Sequence, residues 1–203
     1  MIYSGAAAER KLRQLGLDVQ GIHETLLYAA AEANTYTRYD AKGAGEHARW
    51  SRHVRRASEI YVPQGWQRID PDCQPTLVHP GNKWCLVVSS GNNATGVAYA
   101  RPSTKNPKGR SIRRAVEDNA ELALYKPQEI EPALAGLRQT WMLMTYVNVE
   151  DEIQSEVSLP KEMEGEYISD WTDRILLPVV DPSGAPAARE EEPPSYDFTI
   201  ARK

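Results

Sequence analysis

The sequence predicts an α+β fold in which N-terminal helices pack on an antiparallel sheet of about five or six strands, with an inserted helix and a disordered acidic C-terminal tail. Three observations carry this. Apolar residues recur at helical spacing in the first third, short β-rich segments separated by turn signals follow, and from residue 182 onward proline, alanine and acid dominate. At 203 residues, 41% of them hydrophobic and 26% charged, the chain is long enough for one core and too apolar for general disorder. We assign residues 1–181 to a single globular domain and 182–203 to a flexible tail rich in Pro, Ala and Glu.

The elements follow in order. "AAAERKLRQL" ends at Gly16 and "HETLLYAAAEANTY" follows it, two helices made by Ala and Leu content. After the glycine-flanked break "DAKGAG", the segment "EHARWSRHVRRASEIYV" has Trp50, Val54, Ala57 and Tyr61 on one face and stops at Pro63. "TLVHP", "KWCLVVSS" and "TGVAYARP", separated by "GN" and "GNN", read as an antiparallel meander. "SIRRAVEDNAELALY" returns to helical spacing, with Ser111 as N-cap. "TWMLMTYVNV" is an apolar strand, "EIQSEVSLP" alternates in period two, and "DRILLPVV" completes the sheet.

Charge is unevenly spread. Residues 38–114 hold 14 Lys and Arg against 5 Asp and Glu, residues 115–203 hold 7 against 19, and the net charge of −4 hides the split. "RPSTKNPKGRSIRR" contains six cations and no acid, and its "KNPKG" has the turn chemistry of an exposed loop leading into a helix. On the third helix Arg49, Arg52, His53 and Arg56 fall on one flank beside the apolar face. Such segregation fits a surface for nucleic-acid phosphates, a surface for an oppositely charged protein, or charges that pair inside the fold.

Chemical motifs are mostly absent. "SSGNNATG" spaces its glycines like a phosphate-cradling loop but lacks the lysine and hydroxyl that would follow, and no GxSxG, GxGxxG or HExxH occurs. His47 and His53 point about 240° apart on a helix, so they cannot share a metal there. Asp151, Glu152, Glu156, Asp170 and Asp173 could only hold a cation if the fold gathered them, and a solvated acidic face is the ordinary reading. No metal and no cofactor are expected.

No apolar run reaches the roughly 20 residues that span a bilayer, and the first residues do not resemble a signal peptide, so a cytoplasmic protein with no membrane partner is expected. Cys73 and Cys85 are then reduced thiols. The functional expectation is a non-catalytic binding protein that presents Arg49, Arg52, Arg56, Lys105, Lys108, Arg110, Arg113 and Arg114 to nucleic-acid phosphates or to an acidic protein, with self-association also open. The alternative is a metal-independent, toxin-like ribonuclease, or its regulatory partner in a toxin–antitoxin type pair, with His53 as base among the arginines.

Overall fold

The middle strands are buried on both faces over most of their length, which a sheet achieves only with layers above and below it. The structure, a computed structural model, describes residues 1–124 and 137–184. Its elements in chain order are β1 (Ile2–Tyr3), α1 (Gly5–Gln14), α2 (Val19–Ala33), α3 (Ala44–Tyr61), β2 (Gln67–Ile69), β3 (Thr76–Val78), β4 (Trp84–Ser90), α4 (Arg110–Leu122), β5 (Gln139–Val147), β6 (Ile153–Glu164) and β7 (Tyr167–Leu176). The strands form one sheet of seven in the order β1-β7-β6-β5-β4-β3-β2.

The α+β class holds, and two details of the sequence expectation are corrected. The sheet has seven strands in place of five or six, because the short edge strands β1 and β2 carry too few residues to show a period. It is also mixed: β4 pairs with β5 in parallel, and β1 with β7, while the other neighbours are antiparallel. The parallel pair follows from the inserted helix, since α4 lies between β4 and β5 in the chain and carries it back to the starting edge of the sheet.

Packing uses the strand alternation on both sides. Leu86 and Val88 of β4 and Trp141 and Leu143 of β5 join the larger core under α1, α2 and α3. Val87, Met142 and Met144 point the other way and meet Ile112 and Val116 of α4, with Ile168 and Trp171 of β7. Asn119 pins α4 to the sheet: its amide donates to the Thr140 and Pro160 carbonyls at 3.1 Å, and its oxygen accepts from the Thr140 N–H at 2.8 Å. The α4 N-cap is Gly109 in place of Ser111, without a side-chain capping bond.

Two segments depart further from the expectation. "TGVAYARP" is not a strand but a run of turns between β4 and α4. The alternation in "EIQSEVSLP" does not separate a wet face from a dry one, since Ser155 to Pro160 are all buried. Strand β6 continues past Pro160 to Glu164 through register shifts between Leu159 and Met163, which accommodate the proline. The proposed tail, 182–203, lies outside the described residues from 185 on. No described helix is long and apolar enough to cross a membrane. Cys73 is exposed and Cys85 buried, both as free thiols.

Candidate functional site

Beyond its last residue, β4 runs into a loop that turns back on itself. The Gly91 N–H donates to the Thr145 carbonyl at 2.8 Å, Gly91 bridges Thr104 in antiparallel fashion, and the Lys105 N–H donates to the Ser90 carbonyl at 2.9 Å. This brings Lys105 beside the carboxyl ends of β4 and β5. Gly91 is required at the crossing, because a Cβ there would stand 2.1 Å from Thr95 Oγ1. At such ends of parallel strands, where the connections diverge, open sheets leave a crevice.

The first half of α3 covers this crevice. The helix is entered through Gly43 at φ 83°, a left-handed conformation that suits glycine. Trp50 is then fixed by an indole N–H donated to the Val88 carbonyl at 3.2 Å. Between α3 and the strand ends lies a cavity of about 110 Å³, walled by Arg49, Trp50, His53, Lys105, Thr145 and Tyr146. Glu46 of α3 also lines the cavity and pairs with Lys105 at 2.8 Å, both side chains being largely exposed.

Two wall groups are incompletely satisfied. His53 is 1% exposed and its Nε2 has no hydrogen-bond partner among the described residues, nor does the buried Nε of Arg49. Burial, with the neighbouring Arg49 charge adding to it, pushes the His53 imidazole down to about 3, so it is neutral at physiological pH. Burial also lowers the Arg49 guanidinium, which Glu46 and Asp151 partly offset, but an arginine remains charged. With Glu46 offsetting Lys105, the lining keeps one net positive charge, on Arg49, beside a neutral imidazole, which favours an anion over a metal cation. A neutral imidazole suits hydrogen bonding better than proton transfer, for which a value near the working pH is wanted.

The eight cations singled out in the sequence divide into groups. Arg49 and Lys105 share the cavity, and Lys108 lines an adjoining groove that shares Glu46, Trp50 and Ser90 with it. Burial alone brings Lys108 down to about 8. Arg52 and Arg56 turn towards α2, where Arg52 pairs with Glu32 at 2.8 Å and Arg56 with Glu24, and Arg56 also with Glu59 of α3. Arg110, Arg113 and Arg114 are exposed on α4, which packs on the opposite side of the sheet, and Arg113 donates to the Gly165 carbonyl at 2.9 Å. His53, expected on the basic flank, is instead inside: the helix rolls so that its imidazole faces the strand ends.

Glu156 escaped the sequence reading as a structural residue. It is fully buried on β6 and paired with Arg174 of β7, whose guanidinium donates to both carboxylate oxygens at 3.0 and 2.5 Å. The Gly96 N–H and the Ser158 hydroxyl also donate to Glu156, at 2.8 and 2.7 Å. Arg174 also donates to the Ala100 and Val97 carbonyls, so the pair clamps the turn-rich loop that delivers Lys105. The other acids considered for a cation lie apart: Asp173 pairs with Lys11, Asp170 with Lys161, and Glu152 accepts from Asn148. Among the described residues no three His, Cys, Asp or Glu side chains form a metal-holding group. An arginine on the next strand is the partner Glu156 needed, and nothing in the spacing of the two residues reveals it.

Comparison with known proteins gives no relative to lean on, since no family model, curated protein or solved structure matches the chain.

Proposed function

We propose that this chain is a non-catalytic nucleic-acid-binding protein that seats a phosphate in the cavity at the ends of β4 and β5. The carrying observation is the pair of buried nitrogens on Arg49 and His53 that have no hydrogen-bond partner among the described residues, in a cavity edged by Lys105. Buried polar groups are nearly always hydrogen-bonded, and an arginine donating to an anionic oxygen makes one of the stronger bonds available. A phosphate oxygen accepts from Arg49 while another accepts from Lys105, and the neutral His53, in its Nε2–H tautomer, donates a further bond without adding charge. Lys108 in the adjoining groove supplies the next positive charge along the surface.

The test is binding of a labelled oligonucleotide by fluorescence anisotropy at low and moderate salt, with the native chain and an Arg49→Ala/Lys105→Ala variant. Binding that weakens with salt and is lost in the variant is the expected result, because each neutralised phosphate releases counterions. Binding that survives the variant unchanged, or that is absent even at low salt, overturns the reading. Capture of an acidic polypeptide in place of nucleic acid would then assign the cleft to a protein partner.

A further inference from the structure

We infer that the nucleic acid taken at this site is single-stranded, an inference that rests on the phosphate-binding reading above. The cavity adjoins two further recesses that together make a longer track around Glu46: the Lys108 groove of about 380 Å³, which shares Trp50 and Ser90 with it, and a groove of about 510 Å³ under the loop before α3, which shares Arg49 with it. Five cations line the track, Arg38, Lys42, Arg49, Lys105 and Lys108, against the two carboxylates Asp40 and Glu46.

Aromatic rings accompany these charges. Tyr36 lines the outer groove and is 39% exposed, while Tyr39 on the same loop is 83% exposed. The Arg38 guanidinium lies 4.9 Å from the Tyr39 ring centre and donates to its hydroxyl at 2.7 Å. At the other groove His47 packs against Trp50 with ring centres 5.6 Å apart. A cationic channel interleaved with rings is how proteins hold unpaired nucleotides, the backbone following the charge and the bases stacking on the rings.

Recess geometry decides between strand types. His53 is 1% exposed, so a phosphate meets it only by entering the cavity. Duplex DNA is stiff on this length scale, its bases are already paired and stacked, and its phosphates would reach little beyond Lys105 and Glu46 at the mouth. A single strand bends a phosphate inward and turns its bases both to Tyr36 and Tyr39 and to His47 and Trp50.

The experiment compares anisotropy of one labelled oligonucleotide of about 12 nucleotides, alone and annealed to its complement, with the native chain, with Tyr36→Ala/Tyr39→Ala and with Arg49→Ala/Lys105→Ala. The single strand is expected to bind at least about tenfold more tightly, and the tyrosine variant, whose changes are on the surface, to weaken it by about 5- to 150-fold per stacked base while circular dichroism stays native. Equal affinity for duplex and single strand, or an unaffected tyrosine variant, overturns the single-strand inference. If the Arg49 and Lys105 changes still abolish binding of both forms, the phosphate reading survives alone. No binding of either form to the native chain overturns both.

Discussion

Replacing Arg174 by Met tests whether the buried clamp holds the fold. The substitution keeps a long apolar side chain but removes every donor that Arg174 gives to Glu156, Ala100 and Val97. Glu156, fully buried, then keeps only the Gly96 N–H and the Ser158 hydroxyl, and the two loop carbonyls lose a partner each. Breaking one side of a buried ion pair destabilises by about 3–5 kcal/mol, because the surviving charge stays desolvated. For a domain of this size about 1 kcal/mol shifts Tm by roughly 2–4 °C, so a fall of about 6–20 °C is expected. Urea unfolding followed by tryptophan fluorescence and by circular dichroism, with calorimetry for Tm, supplies the assay. The companion variant Glu156→Gln/Arg174→Met removes the stranded charge and is expected to recover at least about 1 kcal/mol of the loss. A single variant that loses less than about 1 kcal/mol, or a double variant no better than the single, refutes the reasoning.

Acid sensitivity follows from His53. Its folded-state value of about 3 lies below the ordinary 6.5, so the unfolded chain binds the proton first and stability falls as pH drops below about 6.5. Between about pH 7 and about pH 5 this one group removes about 2 kcal/mol, and His53→Leu should show a urea midpoint less dependent on pH by that amount; parallel pH profiles for the two proteins would contradict it. Glu46→Gln releases Lys105 from an exposed pair worth at most about 1 kcal/mol, so oligonucleotide affinity should rise by about 2- to 5-fold, and an unchanged or weaker affinity counts against the cleft. Asn119→Ala strands the groups bonded by its amide at the β5 and β6 backbone and should cost about 2–4 kcal/mol in urea unfolding, with less than about 1 kcal/mol showing that α4 is held by its apolar face alone.

What was legible in the sequence was local. Helical spacing located α3 and α4 because their buried residues, Val54, Ala57 and Tyr61 in one and Ile112 and Val116 in the other, recur on one face. The apolar run of β5 named its strand but hid its neighbours: a strand buried on both sides has no wet face, so its text cannot say that a helix covers each side. "TGVAYARP" has β-branched and aromatic residues and still forms turns, because Gly96 sits at φ 77° with its N–H held by Glu156, a contact 60 positions away. The site divides the same way. Arg49, Lys105 and Lys108 were legible as cations, but not their separation from Arg52 and Arg56, which depends on where Glu24 and Glu32 of α2 stand. Helical geometry put His53 with the arginines, and only the packing of α3 on the strand ends turned it inward.

The parallel junction of β4 and β5 places the cleft on a seam. Cys85 and Thr140, hydrogen-bonded across it, are 55 positions apart, whereas the β5–β6 hairpin closes through the short turn at Asn148 to Glu152. Closing the longer loop costs about 2 kcal/mol more in chain entropy than closing the hairpin. In the proposed complex an anion between Arg49 of α3 and Lys105 of the loop sits against Thr145 and Tyr146 of β5, at the carboxyl end of that junction. At about a hundredfold excess over its Kd a ligand stabilises the folded state by about 2.7 kcal/mol, enough to offset the extra closure entropy. On the proposed reading, occupancy of the cleft adds its binding free energy to the folded state at a junction that is paired along the whole of β4.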